Sequence, residues 1–270
     1  MVIRLFTKIL IVTLVLASIG AAAQSAGVVP DPPGFDKADS PEAKEMIKKL
    51  WAQIDKAPKT VHLQMKGTAL DHEMTGETWL GDGSIVTKVT VESTGMVTVL
   101  GDIDSTTFKA VNGKPVTMTL KERIKQMALA HPHEMMRMLF EKTTKITVGH
   151  GHIMHEKTTD LILHGFPHGN ILMQFYEDTT LAAMVVHLDH GMMHATIYGD
   201  YKEFEGHKVP GRVAEWIIAP RAKGGWSTHD PGSHCLSVMN LVTAEVNSPI
   251  PPRIFNLSTW EPKKESKPSK

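Results

Sequence analysis

The residues whose types and spacing suggest chemistry most directly are the histidines, which number 15 in this 270-residue chain. His187 and His194 flank a predicted hairpin turn. A two-residue turn at His190-Gly191 places His187 directly opposite His194, whereas a three-residue turn places Val186 there instead. Opposed Cβ atoms lie about 4.5–5.5 Å apart, so only the first register lets both imidazoles reach one Zn²⁺ or copper ion. The sequence leaves both registers open, and the first is the hypothesis that builds a metal site.

A second pair of histidines extends this candidate site. His150 and His152 lie two residues apart in a predicted strand, so their side chains share one face. Two ligands alone bind a metal weakly, and a third must come from Asp189, Met192 or the strand of His150 and His152. The candidate metal ligands are His187, His194, His150 and His152. The alternative is that these histidines are surface or cavity-lining residues that bind no metal.

Sequence motifs for catalysis are incomplete. The pair His133-Glu134 lacks the second histidine of a zinc-protease helix, and Ser84 and Ser233 do not lie in a G-x-S-x-G turn. The sequence also has no phosphate loop and no dinucleotide fingerprint. Cys235 is the single cysteine, which excludes an internal disulfide. We therefore predict a non-enzyme with no catalytic and no cofactor-binding residues. An exported hydrolase is the weakest alternative, since catalytic triads assemble from distant residues.

The charge balance argues against a nucleic-acid partner, and the N-terminus indicates an exported protein. Lys plus Arg and Asp plus Glu number 29 each, so there is no surplus of positive charge to bind nucleic acid. Arg4 and Lys8 precede an apolar run, residues 9–19. The sequence Ala21-Ala22-Ala23 then supplies the small-residue cleavage pattern of a secretory signal peptide. The run is about 11 residues long, against roughly 20 for a membrane-spanning helix. We expect residues 1–23 to be a signal peptide and the mature chain to be soluble in the periplasm.

A change of hydrophobic period separates helices from strands in the rest of the chain. Residues 24–39 hold prolines and glycines without periodicity and are predicted to be a flexible leader. Ser40-Pro41-Glu42 begins a helix of about four turns with one apolar stripe. From Thr60 onward the period becomes two, which predicts strands. Residues 120–139 return to helical spacing, and Pro132 divides them into two short helices.

The predicted strands recur about every eight to twelve residues, the spacing of antiparallel β architecture. They are the segments 61–65, 85–92, 95–100, 145–152, 158–164, 171–176, 181–188, 192–200, 212–218 and 235–246. The predicted fold class is mainly β (α+β): one strongly curved antiparallel meander, an incomplete β-barrel, with a few helices covering its concave face. An apolar cavity is expected between the sheet and the helices. The domain spans residues 40–260, and residues 261–270 form a disordered tail.

Two segments of the later half resemble a known family. Tyr201 begins the pattern Y-x4-G-x3-P, which Gly206 and Pro210 complete ahead of a predicted strand. Residues 242–251, followed by Phe255, lie near the end of the domain. Together they resemble a bacterial branch of the outer-membrane lipoprotein-sorting family, the LolA/LolB-like periplasmic carriers, over residues 40–256. Tyr201, Gly206 and Pro210 resemble a strand–turn–strand hinge, in which Gly supplies special backbone angles and Pro fixes the entry of the next strand.

The resemblance implies a half-barrel that is closed by helices and holds a lipid acyl chain in an apolar cavity. It implies a lipid or lipoprotein acyl chain as ligand and membrane-bound donor and acceptor proteins as partners, and it transfers no binding residue to this chain. We therefore expect a non-enzymatic periplasmic carrier that shields an acyl chain. A periplasmic protein that binds Zn²⁺ or copper through its histidines is the alternative.

Overall fold

The computed structural model describes residues 31–54, 57–81, 83–118, 132–153, 155–167, 169–188, 191–219, 226–229 and 231–260, and the side chains of all of these except residues 132–135. The predicted signal peptide, the tail at residues 261–270 and the first helix of the predicted pair lie outside these residues. So do two residues of the predicted histidine turn, at positions 189 and 190.

Two helices form where the apolar spacing and the capping residues predict them. Helix α1 spans Pro41–Ile54, and its first turn is capped by Ser40, whose Oγ accepts a 3.1 Å hydrogen bond from the Ala43 N–H. Its stripe is buried at Ala43, Met46, Ile47, Leu50, Trp51 and Ile54. Helix α2 spans Pro132–Lys142 and begins at the proline that was predicted to divide the helical segment. A short helix α3 follows near the C-terminus at Leu257–Trp260. None of the helices in the described residues is long and apolar enough to cross a membrane.

Fifteen strands make up most of the remaining described chain. They are β1 (Thr60–Ala69), β2 (His72–Gly81), β3 (Ser84–Val91), β4 (Met96–Ile103), β5 (Thr106–Val111), β6 (Lys114–Pro115), β7 (Lys145–Ile153), β8 (Glu156–Phe166), β9 (Gly169–Phe175), β10 (Leu181–His187), β11 (Met193–Gly199), β12 (Lys202–Phe204), β13 (His207–Val209), β14 (Arg212–Ile218) and β15 (His234–Val246). Every predicted strand is confirmed. The strands β2, β5, β6, β12 and β13 were not predicted, because they are short or carry polar residues that obscure the alternation.

Thirteen of these strands form one curved antiparallel sheet, in the order β6-β5-β4-β3-β2-β1-β15-β14-β11-β10-β9-β8-β7. The sheet is open, with β6 and β7 at its edges. The fold class is confirmed, but the single meander is wrong. Two meanders, β1–β6 and β7–β15, are joined side by side where the last strand pairs with the first, from Val61 opposite Val246 to Ala69 opposite Ser237. Local turn signals cannot encode a pairing between the two ends of a chain.

The join between β1 and β15 is unusually close. A Cβ atom at Gly67 would lie 1.9 Å from the carbonyl oxygen of Val238. Only glycine fits there without moving the backbone, and the register shifts by one residue just before it, between Gln64 and Met65. The two halves of the sheet therefore meet at a position that specifies glycine.

The predicted flexible leader does not extend to residue 39. Residues 35–37 form a 3₁₀ turn, Ala38 pairs in parallel with Ile146 at the start of β7, and the Asp39 N–H donates a 3.0 Å hydrogen bond to the Ile146 carbonyl. Lys37 Nζ donates to the Phe140 carbonyl at 3.1 Å, near the C-terminal end of α2. A cation at a helix C-terminus satisfies free carbonyls, and Lys37 does so at the end of α2. Together with the pairing of Ala38 and Asp39 with Ile146, this contact docks the leader from residue 35 onward.

The sheet has two chemically distinct faces. The helix face is the one against which α1 and α2 pack, and Trp51 of α1 meets Phe140 of α2 edge-on with ring centroids 5.9 Å apart. The far face is the opposite one. On its β2–β5 half it is covered by the C-terminal segment, where Trp260 lies 6.2 Å from the Trp79 ring. On its β7–β14 half, Trp226 packs against the sheet instead.

Candidate functional site

The histidine hairpin adopts the register that does not pair its two histidines. His187 lies opposite Met193, and Val186 lies opposite His194. The Leu188 N–H donates a 2.7 Å hydrogen bond to the Met192 carbonyl, which leaves three residues in the turn, and Gly191 takes a positive φ of 73°. Three-residue hairpin loops favour glycine at their left-handed position. The predicted two-residue turn is therefore wrong, and a one-residue slip places His187 and His194 on opposite faces of the sheet.

Of the four predicted metal ligands, His150, His152 and His194 lie on the helix face and His187 lies on the far face, and only His150 and His152 are neighbours on one strand. Both are exposed on the helix-face side of β7, and His150 Nε2 lies 3.5 Å from a carboxylate oxygen of Glu42 on α1. His187 lies on the far face beside Gly169, whose Cβ would approach it to 2.8 Å. Among the residues that the structure describes, no three His, Cys, Asp or Glu side chains are grouped as a metal site requires. Metal binding by this chain stays a prediction.

The only cysteine is a poor candidate nucleophile. Cys235 is half-buried at the start of β15, and its Sγ lies 3.4 Å from the Ser237 carbonyl. Burial raises the pKa of this thiol. Catalytic cysteines need the opposite shift, because the thiolate is the nucleophile. The adjacent His234 is exposed and lies 3.4 Å from the Gly232 carbonyl instead.

The residues of the hinge motif surround the hairpin of β12 and β13. Glu205 and Gly206 form its turn, both with positive φ, at 49° and 78°. Such a turn has the type I′ geometry that favours glycine. The Tyr201 hydroxyl donates to the Leu181 carbonyl of β10, and burial raises the pKa of this phenol well above its usual value. Pro210 lies between β13 and β14. These residues hold the hairpin to the sheet, and Tyr201 also lines a second cavity of about 530 Å³.

The far face of the second meander contains an apolar cavity of about 700 Å³, which we call the far-face cavity. Its apolar wall is formed by side chains from three strands and the loop before β15: Leu172, Ile197, Ala214, Trp216 and Trp226. Its polar lining includes Asp160, Gln174, Arg212 and the loop residues Ser227, Thr228 and His229. A volume of this size lies within the roughly 300–1,000 Å³ of typical small-molecule sites, which combine apolar walls with polar groups that orient the ligand.

One serine links the described segment 226–229, which carries Trp226, to the end of β14. The Ser233 hydroxyl donates to the Ser227 carbonyl at 3.3 Å and accepts a 3.1 Å hydrogen bond from the Ala219 N–H. These bonds join Ser227 and Ser233 to Ala219, which follows the last residue of β14. Trp226 is thereby held over the far face, against Ile153, Val185 and Ile197 among others. Trp226, one of the two aromatic residues of the cavity wall, is therefore positioned by a loop and not by a strand.

A polar triad, in which Thr158 and Gln174 are buried and Asp160 is half-buried, lies at the β8–β9 end of the far-face cavity. Asp160 and Gln174 are directly opposite each other in register. Gln174 Nε2 donates to Asp160 Oδ1 at 2.9 Å, and the Thr158 hydroxyl donates to the same oxygen at 2.8 Å. On the neighbouring strand β7, a Cβ atom at Gly151 would lie 2.7 Å from Asp160 Oδ2 and 2.9 Å from Gln174 Nε2. The absence of a side chain on β7 therefore leaves room for the triad.

The helix face carries buried polar groups as well as the main apolar core. Asp102 on β4 and Glu215 on β14 are fully buried on that face, each 0% exposed. Four buried threonines share it: Thr78, Thr87, Thr98 and Thr196. Because buried charges and hydroxyls are costly unless they are paired, these positions favour polar neighbours over hydrocarbon. The cavity of about 700 Å³ lies on the far face.

Sequence reasoning missed most residues of the far-face cavity, although His152, a predicted metal ligand, also lines it. Gln174 interrupts the apolar strand Ile171–Phe175, and a polar residue inside an apolar run of a predicted strand is a usable signal. Asp160 gives a similar signal before Leu161 in β8. Trp216 lies in a predicted strand but gives no such signal, and Trp226 lies in the segment after it. Their meeting depends on which strands become neighbours in the sheet, which a single sequence does not reveal.

No protein-family model and no curated protein matches the chain. Fourteen chains of solved structures resemble it, among them the following three. A LolA superfamily protein from Nitrosomonas europaea has 13% identity and a TM-score of 0.47, covering 73% of this chain and 89% of that one. A putative outer membrane lipoprotein-sorting protein domain from Vibrio parahaemolyticus has 8% identity and a TM-score of 0.44, covering 74% and 90%. A DUF1329 family protein from Desulfovibrio piger has 9% identity and a TM-score of 0.48, covering 85% and 100%.

Two of these three structures bear the family description that the sequence motifs suggested, so the predicted resemblance is also present among solved structures. Their identities do not exceed 13%, and each TM-score is below 0.5. We therefore take no ligand, activity or residue role from them.

Proposed function

We propose that this protein is a non-enzymatic binding protein that shelters the acyl chain of a lipid or lipoprotein in the far-face cavity. The observation behind this proposal is the cavity itself, about 700 Å³ in volume, with Leu172, Ile197, Trp216 and Trp226 among its lining residues. Such a site gives hydrocarbon a place away from water. We place the head of the ligand beside the polar lining residues, which include Asp160, Gln174 and Arg212.

The energetics suit a carrier that must also release its ligand. Burial contributes about 0.8 kcal/mol per CH₂, so ten methylenes contribute about 8 kcal/mol. This corresponds to a Kd of about 1 µM before the entropic cost of association is subtracted. Affinity in this range is reversible, and it requires no covalent chemistry from the protein.

The place of action is part of the same proposal. The sequence at residues 1–23 has the features of a secretory signal peptide, and we place the mature chain in the periplasm. There it would exchange an acyl chain with membrane-bound donor and acceptor proteins. N-terminal sequencing of protein from its native host should find Gln24 first, whereas retention of Met1 on a membrane-bound product contradicts export.

A chain-length series tests ligand binding. Calorimetric titration with primary alcohols of increasing length should show affinity rising about fourfold per added methylene, as 0.8 kcal/mol implies, until the cavity is full. Affinity that is absent, or that does not depend on chain length, contradicts the proposal.

Two tryptophans provide a matched pair of variants. Trp226→Ala removes part of the cavity wall and should weaken binding about fivefold or more, since truncating a buried aromatic anchor typically costs more than ~1 kcal/mol. Trp260→Ala removes an aromatic side chain from the other half of the far face, where it contacts Trp79, and should leave affinity unchanged. Equal effects of the two substitutions would place the ligand elsewhere.

A further inference from the structure

The guanidinium group of Arg212 lines the far-face cavity without an ion-pair partner. Arg212 is exposed at the start of β14, directly opposite Gly199 of β11 in register. Within the part of the chain that the structure describes, no residue forms an ion pair or a hydrogen bond with this group. Arginine stays charged at every physiological pH, and its planar fork of N–H donors matches the oxygens of a phosphate. The cavity therefore combines an apolar wall with an unused anion-binding group.

The second cavity, which we now call the rim cavity, adjoins the far-face cavity at the end of β11. Gly199 and Asp200 line both cavities. A Cβ atom at Gly199 would meet nothing within 4 Å, so the space beside this residue is open. Tyr176 lines the rim cavity and packs in the same hydrophobic cluster as Trp226 of the far-face cavity. A ligand whose chain occupies the far-face cavity can therefore extend its head into the rim cavity.

The charges that line the rim cavity are mainly negative. Four carboxylates line it, those of Glu156, Glu177, Asp178 and Asp200. Lys157 is the one basic residue among its described lining residues, and Lys208 forms an ion pair with Asp178 alone. The carboxylates act together on one group, because burial and then Glu156, Asp200 and Asp178 raise the pKa of the Tyr176 phenol. Aromatic rings and negative charge together attract organic ammonium groups.

The two opposite charges nearest the junction of the cavities are close together. The Gly211 N–H, one residue before Arg212, donates a 3.1 Å hydrogen bond to the Asp200 carbonyl. Asp200 also follows Gly199, the residue opposite Arg212, so both side chains start within reach of one head group. The remaining carboxylate of the far-face cavity, Asp160, lies at the β8–β9 end and already accepts hydrogen bonds from Gln174 and Thr158.

From these adjoining sites of opposite charge we propose that the ligand of the far-face cavity is a lipid chain with a zwitterionic head, whose phosphate binds Arg212 and whose ammonium group lies beside Asp200 in the rim cavity. The inference rests on the proposed function. A head with a single charge meets one unfavourable neighbour, because Arg212 repels a cation and Asp200 repels an anion. A zwitterion meets a favourable partner at both ends. Phosphoethanolamine and phosphocholine heads belong to this class.

Ligands that share a dodecyl chain and differ in the charge of the head test this proposal. They are dodecylphosphocholine, dodecyl phosphate, dodecyltrimethylammonium and dodecanol. In calorimetric titrations below micelle-forming concentrations, wild-type protein should bind the zwitterion about fivefold more tightly than either singly charged ligand, as expected for one exposed ion pair. Phosphocholine without a chain should not bind measurably, since the chain supplies most of the affinity. Equal affinity for phosphocholine with and without the chain would overturn the lipid assignment.

Two substitutions test the two charges separately. Arg212→Gln should weaken binding of dodecyl phosphate and dodecylphosphocholine about fivefold and strengthen binding of dodecyltrimethylammonium, because the repelling cation is gone. Asp200→Asn should weaken binding of dodecyltrimethylammonium and dodecylphosphocholine and strengthen binding of dodecyl phosphate. Asparagine tolerates the left-handed backbone of this position, where φ is 53°. Affinity for dodecanol should be unchanged in both variants, a result that general damage to the fold does not give.

Matched controls remove the same charges elsewhere. Arg253→Gln changes an exposed arginine of the C-terminal segment. Asp71→Asn changes an exposed aspartate between β1 and β2 whose φ of 66° resembles that of Asp200. Neither residue lines the far-face cavity or the rim cavity. Both variants should preserve the wild-type order of affinities.

The outcomes separate this inference from the proposed function. If all four dodecyl ligands bind and neither Arg212→Gln nor Asp200→Asn changes their order, the zwitterion proposal is overturned and acyl-chain binding stands. If none of them binds, both are overturned. Should a variant fail to fold, wild-type protein labelled with ¹⁵N-arginine answers the question. One guanidinium signal should shift with dodecylphosphocholine and not with dodecanol, and identical spectra with the two ligands would overturn the inference.

Discussion

Two glycines on one strand give the sharpest test of the polar triad. Gly149 and Gly151 lie two residues apart on β7, so they share the far face. A Cβ at Gly149 would make ordinary contacts, 3.8 Å from Asp160 Cβ and 3.9 Å from an Ile162 methyl group. A Cβ at Gly151 would lie 2.7 Å from Asp160 Oδ2 and 2.9 Å from Gln174 Nε2. The same substitution therefore has opposite consequences at the two positions.

The expected magnitudes follow from these distances. Gly149→Ala should raise the free energy of unfolding by about 0.4–1 kcal/mol, because alanine reduces the conformational entropy of the unfolded chain. Gly151→Ala brings the same gain but displaces Gln174 from Asp160. A hydrogen bond to a charged group contributes about 1.5–3 kcal/mol, so the net result is a loss of about 1–2 kcal/mol.

Urea unfolding followed by circular dichroism measures both variants against wild type. In thermal unfolding, the two midpoints should differ by several degrees, since about 1 kcal/mol shifts the Tm of a domain of 150–250 residues by roughly 2–4 °C. Free energies for Gly151→Ala and Gly149→Ala that agree within about 0.5 kcal/mol would refute the triad geometry. The triad would then be free to move aside.

Three further predictions concern the scaffold. Gly67→Ala should prevent stable folding or lower the Tm severely in thermal unfolding, because its Cβ would lie 1.9 Å from the Val238 carbonyl oxygen, and a variant with wild-type Tm contradicts the close join. Phe140→Ala should cost about 3–5 kcal/mol in urea unfolding, since the ring is fully buried between α2 and the sheet, and a loss below ~1 kcal/mol contradicts that packing. Burial alone would raise the pKa of Asp178, but hydrogen bonds from Lys208 and a neighbouring threonine outweigh it and lower the pKa. Asp178→Asn should therefore destabilise the protein at neutral pH, and the difference from wild type should disappear as pH falls through the folded-state pKa, below about 4; a difference that persists at pH 2 refutes the ion pair.

Much of the fold could be predicted from the sequence because its signals are local. The apolar stripe of α1 with its Ser40 cap, and the alternating strands from Thr60 onward, depend on residues within a few positions of each other. Pro132 marked the start of α2 for the same reason. The error lay in connectivity. The pairing of β1 with β15 joins residues more than 150 positions apart, and no turn signal encodes it.

The candidate site was harder to predict for a related reason. His187 and His194 were close in sequence, but one residue in the turn decided their faces, and Gly191 favoured the longer turn. The far-face cavity instead gathers side chains from β8, β9, β11, β14 and the loop before β15. Asp160 and Gln174 meet only because β8 and β9 pair in one particular register. Sequence patterns indicate that such residues are unusual without indicating that they are neighbours.

The position of the bound chain is the most direct test of acyl-chain binding in the far-face cavity. Tetradecanol brominated along its chain quenches tryptophan fluorescence on contact, and the tryptophans divide by location: Trp216 and Trp226 line the cavity, whereas Trp51 is buried on the helix face. Quenching by the bound ligand should be lost in the double variant Trp216→Phe, Trp226→Phe and retained in Trp51→Phe, with calorimetry verifying that each variant still binds. Quenching that persists in the double variant and disappears in Trp51→Phe would place the chain on the helix face and contradict the proposed site.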